Sequence, residues 1–299
     1  MNMFNIDDLI YSHRFTKLSD IVIDTPNDMK GYNGKINNHP NNILIVFVRT
    51  NYVNDFNKNL DTDKKIILIT HNSDIRVTDK QPTINTNFRH ANPKFIHKNI
   101  VHWFASNLTY KHDKFTAIPV GLEREMFFYG INKHEKILNS ITNNKIDKVY
   151  LNCNTKTDFF GNREKIYSTL SKNIWVTSVR GKNGLDFVKY INELSEHKYC
   201  FCPVGNTEGF NDEDGGASSI RFWECQYLGV IPIVKDTLIT SFFNDLPQIK
   251  VDKWENINKE FLNEEYKKIK RTHYNYEKLK FNYWAKLINS YKNIDKKNI

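Results

Sequence analysis

Between Tyr199 and Val234 the chain reads YCFCPVGNTEGFNDEDGGASSIRFWECQYLGVIPIV, and this stretch restricts the fold more than any other. The apolar run Tyr199–Pro203 has the length and residue types of a buried strand. A polar, glycine-rich loop follows, then a helix opening near Ser218 and running to Leu228, then a second apolar strand, Val230–Val234. The same alternation recurs along the chain, which points to an α/β protein with parallel sheets.

In the first half, strands are predicted at Ile43–Val48, Lys65–Thr70 and Ile100–Ala105, with a short one near Thr116–Pro119. In the second half they fall at Lys148–Asn152, Ile174–Thr177, Tyr199–Pro203, Val230–Val234 and Gln248–Val251. Helices are predicted over Asn162–Ser171, Gly184–Glu196, Ser218–Leu228 and Asn258–Arg271, with a long terminal helix from about Tyr274 to Ile294. The polar stretch Ile141–Asp147 is the best candidate linker. The expected division is therefore residues 1–145 and 146–273 as two Rossmann-like halves, with 274–299 as a C-terminal helix and tail. Ligands of such sheets gather at the carboxyl ends of the strands.

Arg221 and Glu224 lie three apart at a helix start and share one face. Free N–H groups and a positive dipole end favour an anion there, and Gly215–Gly216–Ala217 lets a ligand approach the backbone. An Arg can fork onto a diphosphate, and a carboxylate one turn later can accept both hydroxyls of a ribose. The competing reading is an ordinary helical ion pair, which contributes little.

Composition narrows the classes. At 299 residues the chain can build one large or two modest cores. No run approaches the roughly 18 apolar residues of a membrane helix. The start, MNMFNIDDLIYSHRF, lacks a basic and then apolar leader, so a soluble cytoplasmic protein is expected. Cys153, Cys200, Cys202 and Cys225 show no zinc spacing and read as small buried residues. The net charge of +9 comes from scattered Lys, without a zinc finger, RNA-binding signature or long basic block, which argues against nucleic acid as partner.

The second half resembles the donor-binding part of exostosin-like glycosyltransferases (family 47-like), whose fold is GT-B: two Rossmann-like domains facing a central cleft, with a C-terminal helix crossing back. The resemblance rests on Cys202–Pro203, Gly205–Asn206, Arg221, Glu224, Leu228–Gly229, Pro232 and Val234, and downstream on Phe242, Asp245–Leu246–Pro247 and Trp254. It covers about a third of the chain. Two departures stand out: Ser218 and Ile220 occupy places where relatives carry Asp and His, and an acidic insert, Glu208–Asp214, lengthens the loop. Soluble members of this kind occur in bacteria and large DNA viruses, the latter implying a host cytoplasm.

The resemblance implies an inverting, metal-independent transfer of a sugar from a UDP-sugar to a glycan hydroxyl. The second half would bind the nucleotide sugar and the first half the acceptor. Arg163, opening the helix after the strand Lys148–Asn152, would be a second cation on the diphosphate. Ser178 and Arg180 follow the next strand, where backbone contacts to a nucleobase are usual, and Pro203, Gly205, Ser218 and Ser219 line the donor loop. The base should come from the first half. Asp74 is the first candidate and His71 the second, both leaving the strand in IILITHNSD; Glu123, in IPVGLERE, is the third, with Arg124 beside it to orient an acceptor or phosphate. Asn-Ser-Asp is also ordinary turn chemistry. Asp61/Asp63 and Asp212/Asp214 spell Asp-x-Asp, but one pair precedes its strand and the other lies in the insert, so no metal is expected. A GDP-fucose-dependent enzyme and a non-catalytic glycan- or nucleotide-binding protein of the same fold are the alternatives.

Overall fold

The structure, a computed structural model, describes residues 4–80, 90–124, 132–158, 161–179, 186–204 and 219–296. Within them lie two parallel five-stranded sheets. The first holds β1 (Ile21–Ile23), β2 (Ile43–Arg49), β3 (Lys65–His71), β4 (Ile100–Ala105) and β5 (Phe115–Ala117), in chain order. Its central strands, ILIVFVR and KIILITH, are almost wholly buried, as expected when both faces of a parallel sheet are covered. Helices α1 (Ser12–Leu18), α2 (Tyr32–Asn37) and α3 (Val53–Asn59) accompany it.

The second sheet holds β6 (Ile146–Leu151), β7 (Val176–Ser178), β8 (His197–Phe201), β9 (Ile231–Lys235) and β10 (Ile249–Val251), in the order β10-β9-β8-β6-β7. The chain thus leaves β6 toward β7 on one side and continues from β8 on the other. That makes the gap beyond the carboxyl ends of β6 and β8 a topological switch point, the place where open α/β sheets bind ligands. Helices α4 (Lys133–Asn139), α5 (Asn162–Leu170), α6 (Phe187–Ser195), α7 (Ile220–Leu228), α8 (Leu238–Ser241), α9 (Lys259–Arg271) and α10 (Phe281–Ser290) complete the described α-helices, with short 3₁₀ turns between elements.

The predicted strands are found with ends shifted by a few residues, whereas β1 and the short helices α1 to α4 were not anticipated. One apolar cluster fills the first sheet and continues onto α6, α7 and one face of the second sheet. A smaller cluster lies on the other face, under α5 and α9. The stretch expected to be a linker is tied down: the Lys145 ammonium donates to the carbonyls of Ser195 (2.5 Å) and Leu228 (2.7 Å), the last residues of α6 and α7. A cation there satisfies terminal carbonyls and opposes the negative ends of two helix dipoles.

The expected long terminal helix is broken. A 3₁₀ turn (Tyr276–Leu279) precedes α10, and another (Tyr291–Lys296) follows it. The break lets the Phe281 N–H donate to the Asp8 carbonyl at 2.8 Å, a bond unavailable inside a continuous helix. The segment nevertheless returns to the first sheet: Phe281 packs on Phe15 of α1, and Tyr291 lies 4.1 Å from His102 of β4. Among the described residues no helix is long and apolar enough to cross a membrane.

Candidate functional site

Two polar assemblies stand at the carboxyl ends of the strands. On the second sheet, Arg163 in the first turn of α5 spans the switch point. Its Nε donates to the Val204 carbonyl (3.0 Å) and its Nη1 to the Asn154 carbonyl (2.7 Å), tying the loop after β8 to the loop after β6. Its own N–H donates to the Asp158 carboxylate at 2.6 Å. One turn along, the Tyr167 hydroxyl accepts from the Cys153 N–H and lies 2.9 Å from the Val179 carbonyl, just beyond β7. Burial pushes that phenol up to about 12, so it stays a neutral hydroxyl. One face of α5 therefore fixes three loops. Arg163, expected on a phosphate, already has two of its donors on loop carbonyls.

Helix α7 begins at Ile220, and its cap is Ser219, whose hydroxyl accepts from the Arg221 N–H at 3.2 Å. Ser218, expected to open the helix, lies outside the described residues, as do Arg180, Gly205 and the insert 208–214. Arg221 and Glu224 share a face as expected, but the contact between them runs through a third residue. The Tyr190 hydroxyl, from α6, accepts from Arg221 Nε at 2.9 Å and donates to Glu224 Oε2 at 2.5 Å. The guanidinium also sits 5.1 Å from the Tyr190 ring centre. Burial raises the Glu224 carboxyl above its ordinary range while the Arg221 charge opposes the rise. Burial holds the Tyr190 phenol well above its own. Sequence did not single out Tyr190, because Phe187, Tyr190, Ile191 and Leu194 form the apolar stripe that any packed helix shows. Ser178 is exposed at the end of β7, and Pro203 is buried just after β8. Phe222 and Trp223 are core residues, as read from the sequence.

The first sheet supplies the other assembly. His71 ends β3 with its ring buried. Nδ1 accepts from the Asn72 N–H at 2.7 Å, and Nε2 donates to the Pro119 carbonyl at 3.1 Å. Burial depresses the imidazole to about 4, so it is neutral with its proton on Nε2. Both nitrogens serve the backbone. Asn72 has φ 64° and hydrogen-bonds both carboxylate oxygens of Asp24 at 3.1 Å, with Arg124 at 4.0 Å from the same carboxylate.

Glu123 and Arg124 are placed by a tight joint. Gly121 has φ +70°, and a Cβ on it would lie 2.3 Å from the Ile10 carbonyl oxygen, the same oxygen that accepts from the Leu122 N–H. From α4, His134 bonds the Glu123 carbonyl at 2.9 Å and Lys133 bonds that of Arg124. Glu123 is half-buried, with Oε1 accepting from the Arg124 N–H at 2.9 Å, whereas Asp74 is exposed.

These groups line one pocket of about 290 Å³ that holds His71, Asp74, Glu123, Arg124, Arg49 and Asn51, with Ile220 at the start of α7 in its wall. The three base candidates are thus brought together beside the first residue of the Arg221 helix. Arg163 is not part of this lining. Arg49 and Asn51, which end and follow β2, were not anticipated. Among the described residues, buried Arg49 Nε and Asn51 Oδ1 have no hydrogen-bond partner. Asp61 and Asp63 are exposed at the opposite, amino end of β3, and Asp212 and Asp214 lie outside the described residues.

No protein-family model matches the chain, and no curated protein matches it significantly.

Proposed function

We propose that the chain is an inverting, metal-independent glycosyltransferase of GT-B architecture, moving a sugar from a UDP-sugar to a hydroxyl of a glycan. The observation that carries this reading is the pocket in which Asp74 and Glu123 meet the start of α7. In this reading the diphosphate lies at the α7 N-terminus. Arg221, held by Tyr190, and the positive end of the α7 dipole stabilise the charge developing on it. Glu224 accepts the ribose hydroxyls. Arg163 and Tyr167 shape the crevice by fixing the loops around it, and Ser178 and Pro203 stand at its edges.

Asp74 takes the proton of the acceptor hydroxyl as that oxygen attacks the anomeric carbon. The bond from that carbon to the diphosphate breaks, and its electron pair leaves with UDP. Glu123 is the second candidate base. His71 is retained only as a support for the loop, because its nitrogens are already engaged. A GDP-fucose donor and a binding protein without turnover remain the competing readings. Release of UDP or GDP, measured over a panel of nucleotide sugars with mixed glycan acceptors, tests the proposal. Acceptor-dependent release of UDP supports it, release of GDP alone transfers it to the fucosyl reading, and binding without release removes the enzyme.

A further inference from the structure

Behind the Arg221 face of α7 lies a feature that no step above uses. Strand alternation puts Cys200 and Cys202 on the same face of the second sheet, and α7 presses Cys225 onto that face. The three Sγ atoms lie within 4.8 Å of one another, with Cys202 and Cys225 at 3.8 Å. Cys200 and Cys225 are fully buried and Cys202 is 3% exposed.

The spacing is informative. Thiolates bonded to one first-row metal at about 2.3 Å stand about 3.8–4.0 Å apart in tetrahedral or trigonal geometry. A disulfide needs about 2.05 Å instead. One edge of the triangle therefore already has the metal-bridged length, and closing the others takes less than about 1 Å. Three converging thiols with no carboxylate or imidazole in the group form a soft donor set.

We propose that Cys200, Cys202 and Cys225 form a three-thiolate site for one soft, thiophilic cation of the Cu(I) class. A buried triangle of three sulfurs suits a three-coordinate ion better than zinc, which takes four ligands in structural sites. On binding, three S–H bonds break, three metal–sulfur bonds form and three protons leave to solvent; nothing is oxidised or reduced. The ion would pin α7 to β8 from behind, entering as the protein folds because the thiols are buried. Its role is structural and independent of the transfer chemistry proposed above.

The test is anaerobic refolding of the full chain with Cu(I) in the presence of a competing Cu(I) chelator, followed by copper analysis and X-ray absorption. The expected result is one copper per chain, with about three sulfurs at about 2.3 Å. Cys225→Ala and Cys202→Ala should each lose most of that copper, while Cys153→Ala should keep it. Absence of retained copper in the wild type, or a copper site without three sulfurs, overturns the proposal. Because the absorption measurement uses the wild type, it decides the matter even if the variants fold poorly.

Discussion

The two sides of the site handle polarity in opposite ways. On the second sheet the groups are locked to one another: Arg221 to Tyr190, Tyr190 to Glu224, Arg163 to two loop carbonyls. On the first sheet the carboxyl groups lie nearer the surface. Asp74 is exposed, and Glu123 is half-buried against a neighbouring N–H, while the locking falls on residues behind them: His71, Gly121, Lys133 and His134. A charge that must stabilise a leaving diphosphate gains from being fixed before the reaction, since no reorganisation is then needed. A base that must reach a bulky acceptor gains from an open loop on a rigid base. The contrast is the physical content of the functional proposal, and it can be broken at several points.

The largest effect should come from acid. His71 is neutral when folded, with its pKa near 4 against an ordinary 6.5, so the unfolded chain binds the extra proton first. Its contribution is whole above pH 6.5 and is lost as pH falls through the window down to 4, about 3 kcal/mol by pH 4. Denaturant unfolding at pH 7 and pH 4.5 should show this loss, and His71→Gln should reduce the slope. An unchanged slope in the variant would mean that the first side does not rest on that ring.

Asp74→Asn comes next, with turnover reduced about 100-fold while UDP affinity stays within about twofold, because the base acts only in the transition state. Equal loss of both would make Asp74 a loop-shaping residue and erase the difference between the two sides. Tyr190→Phe should act in the opposite sense. It removes the hydroxyl that joins Arg221 to Glu224, lowers stability by about 1–3 kcal/mol through groups left unsatisfied, and weakens UDP binding. Unaltered stability would show that the triad is not locked. The smallest effect should be seen in Glu224→Gln, which should narrow the preference of the protein for UDP over 2′-deoxy-UDP by about 1 kcal/mol. Identical preference in wild type and variant would leave Glu224 a purely internal partner of Tyr190.

The sheets were legible because their strands are apolar on both faces: ILIVFV, KIILIT and IVHWFA admit few other readings. The three-residue β1 and the six- and seven-residue helices α1 to α4 were not, because so short a span shows less than two turns of period. The terminal helix was drawn too long because its pattern runs on through Lys280, whereas bonds to residues far away in sequence, from Phe281 to Asp8 and from Tyr227 to the Leu279 carbonyl, are made where it breaks. That Arg221 and Glu224 share one face of a helix could be read from their spacing and from the strand-loop-helix pattern around them. Tyr190 could not, since an aromatic on an apolar stripe looks like core until its hydroxyl is seen between two charges. His71 was legible as a strand-end residue, yet its fully engaged nitrogens depend on Pro119, 48 residues on.

Everything proposed about transfer depends on a nucleotide diphosphate lying at the start of α7. Calorimetric titration of UDP into the wild type and into Arg221→Ala, on preparations shown to be folded, tests this most directly. The account predicts measurable UDP binding by the wild type, weakened in the variant by about 1.5–3 kcal/mol, or roughly 10- to 100-fold, the worth of a charged hydrogen bond. Equal affinity in the two proteins, or no heat of binding from either UDP or GDP in the wild type, would contradict it.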